Sequence, residues 1–301
     1  MANRIYPEDP FHFAPLWDAI LDVYDVFSEI CTKHNLRHYV IGGTLLGAVR
    51  HKGFIPWDDD FDLAMPRQDY ERLKELLDSE LPPHLKFMDH GNTPEFKFHF
   101  GKILDVREDL VLRVEKEICH ELSNGIFIDI FPVDGYPDSI IGSAMVRASE
   151  LVHNLVRYSK AYGKNGFGMS SKRRVARTFG KVAAPLLAPF VKNVTDDEIW
   201  FKWNEDHGRE IPFSDDHMTG TLGCAEGRFQ LVFRRNIFGT PSDVDFCGMK
   251  VPAPRDWDGF LRVNYNANYM TPPPEDKRRP THEYSSRCPW WLGPTNNSRP
   301  K

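Results

Sequence analysis

The sequence predicts an α/β fold with a helical addition, and three observations predict it. Short apolar strand-like runs alternate with amphipathic helical patterns over residues 1–138. From Ser139 to about His207 the pattern turns helical and strongly basic. The last third returns to short mixed elements. A length of 301 residues lies near the upper limit of about 250–300 for one growing core, so one elaborated domain is expected. Its expected parts are a catalytic core over 1–138, a basic helical insertion over 139–225, and a C-terminal part, 226–301, that rejoins the core.

The elements follow in order. Leu16, Ile20, Val23, Tyr24, Phe27 and Ile30 recur at helical spacing and predict a helix from Pro15 to His34. Tyr39 to Ile41 is a short apolar strand that ends at Gly42-Gly43, and Thr44 is placed to cap a helix from Leu45 to Arg50. His51 to Asp60 reads as a loop and Phe61 to Met65 as a second strand. Pro66 suits the first turn of a helix whose apolar face is Tyr70, Leu73, Leu76 and Leu77. Three further strands are expected at Leu85 to Met88, Phe96 to Leu104 and Gly125 to Phe131, and a helix at Asp256 to Tyr265.

Composition excludes several classes. With 41% hydrophobic and 13% aromatic residues, the chain has ample apolar surface to offset ordering entropy, so it is not disordered. No short repeat points to collagen, a solenoid or a propeller. The longest apolar run, Val182 to Val191, is broken by Pro185 and Pro189 and falls far short of the roughly 20 residues a membrane span needs. The first residues carry no apolar signal core, so a cytoplasmic protein is expected. Cys31, Cys119, Cys224, Cys247 and Cys288 form no CxxC pair and are expected to be buried thiols. The net charge of −5 is unevenly spread: residues 143–193 hold ten Lys/Arg and one acid, so this run carries +9 and the rest −14.

Two stretches carry chemistry. Gly42-Gly43-Thr44 joins a strand to a helix start, where glycines permit close approach and unpaired N–H groups suit phosphate. Pro56-Trp-Asp-Asp-Asp-Phe-Asp62 places Asp60 and Asp62 two apart at a strand start, hence on one side. Two converging carboxylates repel unless a cation lies between them, and Mg²⁺ binds through a few carboxylates plus substrate phosphates. Asp129 lies within an otherwise apolar strand, where it needs either an Arg or Lys partner or a metal. Joined to Asp60 and Asp62, it would complete a carboxylate triad for phosphoryl or nucleotidyl transfer. Arg50, His51 and Lys52 follow the short helix and suit a pyrophosphate, or else are surface cations. Lys102, in a strand-like run, should snorkel or pair with phosphate or an aspartate, while His99 suits packing and ligation equally. Arg278, Arg279 and His282 either close over a nucleotide or belong to a polar tail.

The run Gly42-Gly-Thr-Leu-Leu-Gly-Ala-Val-Arg-His-Lys-Gly-Phe-Ile-Pro-Trp-Asp-Asp-Asp-Phe-Asp62 resembles the signature of the LicD family, which contains bacterial phosphocholine transferases and is related to fukutin-type ribitol-phosphate transferases. Gly125-Ile-Phe-Ile-Asp-Ile-Phe-Pro-Val-Asp-Gly135 resembles the family's second motif. Val251-Pro-Ala-Pro254, Tyr265 and Tyr269 to Arg278 resemble its C-terminal motif, with Asn266 standing where glycine is more usual. The resemblance implies a nucleotidyltransferase-like mixed sheet with flanking helices. By matching position, Asp60 and Asp62 would ligate Mg²⁺, Asp58 would be an acidic neighbour, and Asp129 a third ligand or the base.

It also implies the reaction: Mg²⁺-dependent transfer of a phospho-alcohol, phosphocholine first among them, from a CDP-linked donor. The acceptor would be a sugar hydroxyl of a cell-surface glycan precursor (lipopolysaccharide, teichoic acid or capsule). Two rivals stand beside it, a nucleotidyltransferase releasing pyrophosphate and a non-catalytic nucleotide sensor. A phosphocholine ammonium needs aromatic faces within about 6 Å, for which Trp57 is the first candidate and Trp290 and Trp291 follow. The basic run 143–193 suits a peripheral contact with the inner face of the cell membrane, or a glycan or lipid-linked glycan acceptor. It shows no nucleic-acid-binding module, so nucleic acid is not an expected partner.

Overall fold

The computed structural model describes residues 4–93, 96, 98–107, 125–139, 141–142, 205–206, 208–220 and 236–280. The basic run 143–193, and with it most of the expected insertion, lies outside these residues, as do Cys119, Cys224, His282, Cys288, Trp290 and Trp291.

Helix α1, Ala14–His34, buries the apolar stripe its spacing dictates and ends at Asn35, whose left-handed conformation (φ 54°) closes the last turn. Its start is held by Asp9, whose carboxylate accepts the N–H groups of Phe13 and Ala14 at 2.6 and 2.8 Å. Strand β1, Tyr39–Val40, leads into α2, Gly42–His51. Strand β2, Asp62–Pro66, passes directly into α3, Arg67–Glu80. Then come β3 (Leu85–Met88), β4 (Gly101–Asp105), β5 (Ile126–Tyr136), β6 (Met218–Gly220), a hairpin of β7 (Ser242–Phe246) and β8 (Met249–Ala253), and α4 (Trp257–Tyr265).

The main sheet is mixed, in the order β1-β2-β5-β4-β3, with β6 pairing to the far end of β5. β2 and β5 run parallel; the other pairs are antiparallel. This is the α/β mixed sheet with flanking helices that the sequence predicts. Phe61, one residue from Asp62 and so on the opposite side, packs against Tyr24 of α1 with ring centroids 4.8 Å apart. A Cβ on Gly101, the neighbour of Lys102, would meet the Tyr70 hydroxyl of α3 at 2.8 Å. Both helices therefore cover one face, and Asp62, Lys102 and Asp129 stand on the other.

Four local expectations change. Thr44 lies inside α2, not at its cap: Ile41 is the N-cap, and the Thr44 hydroxyl accepts the Asp62 N–H at 2.8 Å. Pro66 ends β2 and caps α3 rather than opening the helix. The strand expected from Phe96 to Leu104 begins only at Gly101, because Phe96, Phe98 and Phe100 gather into an aromatic cluster with centroids 4.9–6.2 Å apart. Strand β5, by contrast, runs past Pro132 to Tyr136. Its β4 partner ends at Ile130 and β6 begins at Asp134, so the missing proline N–H falls where no strand needs it. Asp134, fully buried, is held there by Arg67 of α3 through two bonds of 2.6 and 3.1 Å.

Candidate active site

The acidic residues come together through three neighbouring strands and one loop. β2 and β5 pair in parallel with Asp62 opposite Asp129, and β4 pairs antiparallel with Lys102 opposite Asp129. Residues in register point the same way, so the three side chains form a row across the sheet. Lys102 Nζ lies 2.8 Å from Asp129 Oδ1. The lysine is 1% exposed and enclosed by rings, 3.5 Å from the Phe127 centroid and within 5.7 Å of those of Phe98 and Phe100. Of the two sequence readings of Asp129, the lysine partner is the one observed, and the strand register sets the residue beside Asp62. Of the alternatives open for Lys102, pairing with an aspartate is the one observed.

The loop before β2 adds the rest. Asp58, Asp59 and Asp60 each offer a carboxylate oxygen within 4.8 Å of the others. Asp59 is buried and was not singled out from the sequence, although the Asp-Asp-Asp run was its visible signal. Trp17 of α1 anchors this loop: its indole N–H donates to the Asp58 carbonyl at 3.0 Å while its ring stacks on Phe54. Burial first, then Asp60, Asp59 and Asp62, push the Asp58 carboxyl well above its ordinary range, and Arg50 opposes this. Burial, then Asp60 and Asp129, do the same to Asp62, against Lys102 and a hydrogen bond from the Gly43 N–H. Close oxygen donors with mutually raised affinity for positive charge suit a hard divalent cation; Asp58, Asp59, Asp60 and Asp62 are the residues placed to hold one.

The Gly-Gly turn serves this cluster. Gly42 has φ 57°, which only glycine adopts readily, and a Cβ on Gly43 would lie 2.4 Å from Asp58 Oδ2. The space beside Gly43 thus holds the Asp58 carboxylate. Gly43→Ala should displace Asp58, leaving the melting temperature within a few degrees while transfer activity falls at least tenfold. Unchanged activity would mean Asp58 has no part in the site.

The basic candidates divide. Arg50 donates from Nε to His51 Nε2 at 2.9 Å and from Nη1 to the Tyr269 carbonyl at 2.9 Å. Its guanidinium and that of Arg278 lie 6.0 and 5.4 Å from the Trp57 ring centroid, and His51 meets the same ring edge-on. Burial, Arg50 and Arg278 push His51 down to about 4, so it is neutral near pH 7. Lys52, in the left-handed C-cap of α2, faces elsewhere: the Asp245 carboxyl on β7 is lowered chiefly by its hydrogen bond from Lys250 and in small part by the charge of Lys52.

A mixed sheet carrying carboxylates on two adjacent parallel strands, beside a Gly-Gly helix start, defines a nucleotidyltransferase-type domain. The comparisons name the family. Residues 35–162 match the family described as LicD/FKTN/FKRP, nucleotidyltransferase domain, so this stretch carries a LicD-type domain. It is 25% identical over 267 residues to the lipopolysaccharide cholinephosphotransferase LicD of Haemophilus influenzae, a match covering 87% of this chain and 92% of that protein. Uncharacterized proteins of Rickettsia prowazekii and Rickettsia typhi are 47% and 45% identical over 49 residues. Those two matches cover 16% of this chain, and 18% and 16% of the respective relatives.

Proposed function

We propose that this LicD-family phosphotransferase moves a phospho-alcohol, phosphocholine first among them, from a CDP-linked donor to a sugar hydroxyl of a cell-surface glycan precursor. The observation that carries the reading is the row Asp62–Asp129–Lys102 beside the Asp58–Asp60 loop, a site built to hold a cation against an anionic substrate. Likeness to the Haemophilus influenzae cholinephosphotransferase supports the phosphocholine assignment. Among the described residues no helix is long and apolar enough to cross a membrane. The +9 run over 143–193 suits an anionic acceptor or leaflet.

In this mechanism Asp60, Asp62 and their neighbours Asp58 and Asp59 would hold Mg²⁺, with Asp129 at the edge of the set. The ion would supply charge neutralisation at the donor diphosphate and at the departing CMP. Asp129, fixed by Lys102, orients the acceptor hydroxyl and takes its proton. The hydroxyl oxygen forms a bond to the β-phosphorus, the bond from that phosphorus to the α–β bridging oxygen breaks, and CMP leaves with the electron pair. Products decide the reading. Incubation with CDP-choline, CDP-ethanolamine, CDP-glycerol and CDP-ribitol plus an acceptor extract should release CMP from at least one donor. Release of pyrophosphate from CTP instead would establish nucleotidyl transfer, and donor binding without turnover would indicate a sensor.

A further inference from the structure

Arg50 and Arg278 were separate features in the sequence, and Trp57 was a candidate receptor for a quaternary ammonium. The structure unites them. One guanidinium comes from the last turn of α2, the other from the segment after α4, more than two hundred residues later, and both approach the same indole. Each is aimed by the backbone of that one segment: Arg50 Nη1 donates to the Tyr269 carbonyl, and Arg278 Nε donates to the Pro273 carbonyl at 2.8 Å. His51, neutral, accepts from Arg50 Nε and fixes its fork. Among the described residues no carboxylate lies within ion-pairing distance of either guanidinium. Arg50 Nη2 and both terminal nitrogens of Arg278 have no hydrogen-bond partner there either. Two half-buried like charges held against one indole ring, with donors to spare, are costly unless an anion joins them.

We infer that Arg50, Arg278 and Trp57 form a phosphoryl-binding clamp, with the indole as a platform that orients the two guanidinium forks. Arginine forks match phosphate oxygens in pairs, which a lysine cannot do. A cationic ligand group would meet two positive charges here, so Trp57 does not receive the choline ammonium. Trp57 immediately precedes Asp58 in the acidic loop, so a phosphate bound at the clamp would lie beside the cation site. Naming that phosphate as part of the donor diphosphate rests on the proposed function; the clamp itself does not.

Calorimetry on the full chain tests it, with inorganic pyrophosphate, CDP, CDP-choline and glucose 6-phosphate as separate ligands. Arg50→Gln and Arg278→Gln should each weaken at least one phosphate ligand about tenfold or more, and Arg278→Lys should recover only part of the loss. Loss for pyrophosphate and CDP identifies the donor as the source; loss for the sugar phosphate alone identifies the acceptor. CDP and CDP-choline should bind within about threefold of one another, and Trp57→Ala should weaken both alike. Among the described residues Arg278 is held by the chain beside it and by the half-buried Trp57 ring, not by the core, so Arg278→Gln reports binding without unfolding the core, and an unchanged Tm checks this. Phosphate affinities unaffected by either glutamine variant would overturn the clamp. A selective loss of CDP-choline in Trp57→Ala would return Trp57 to ammonium recognition. These are binding readouts, so they stand even if no CDP-alcohol is turned over.

Discussion

Asp62→Asn should lower the transfer rate about 10³-fold while making the metal-free protein harder to unfold. Both effects have one cause. Asp62 is buried beside Asp60 and Asp129, and its carboxyl is raised well above the ordinary 3.8. A carboxyl that binds its proton more tightly folded than unfolded favours the fold at low pH, and that support is lost as pH rises above the unfolded value near 3.8. Above that value the unfolded side chain ionises freely while the folded one cannot do so equally, so without a cation the wild-type carboxyl weakens the fold at neutral pH. Asparagine removes that charge and keeps the oxygen that accepts the Gly43 N–H. The expected gain is on the order of 1–2 kcal/mol, a few degrees in Tm, growing from pH 4 to pH 7. Thermal melts of both proteins in chelator across that range measure it, and added Mg²⁺ should raise the wild-type Tm more than the variant's. A variant that melts earlier than wild type throughout, or that retains full transfer, would remove Asp62 from the metal site.

Lys102→Met should be the most destabilising change in the sheet, at about 3–5 kcal/mol by urea unfolding. It leaves Asp129, 8% exposed and beside Asp62, with its lysine counter-charge removed, and it takes the ammonium away from the ring faces of Phe98, Phe100 and Phe127. Asp129→Asn alone should cost less, because the lysine keeps its contact with the Phe127 ring face. The double variant Lys102→Met/Asp129→Asn should recover most of the loss, since neither charge then lies buried alone. Simple additivity of the two single effects would mean that the 2.8 Å pair contributes no coupling and that Lys102 acts through packing.

Strands and helices were legible wherever periodicity was strong. The stripe from Leu16 to Ile30, the alternation around Tyr70 and Leu73, and the apolar run at Ile126 each dictate one way of burying surface, and each was found. Where the sequence misled, a tertiary partner had decided. Pro132 argued for a strand end, yet β5 continues because its neighbour changes from β4 to β6 at that residue. Thr44 looked like a cap, yet its hydroxyl serves the Asp62 N–H across the start of β2. Phe96, Phe98 and Phe100 alternated like a strand but gather into a cluster, of which Phe98 and Phe100 face Lys102, a demand invisible locally.

By itself the sequence determined the α/β class, the Asp58–Asp62 loop, the isolated Asp129 and the resemblance to the LicD family that implied a mixed sheet, because spacing and charge within a few residues carry that information. Only the tertiary structure decided that Lys102 is spent on Asp129, that the Gly43 cleft holds Asp58, and that Arg50 and Arg278 meet at Trp57. Those outcomes depend on strand order and on the return of the C-terminal segment to α2. A charged side chain takes the partner that folding brings within a few ångströms, and sequence distance carries no record of that choice.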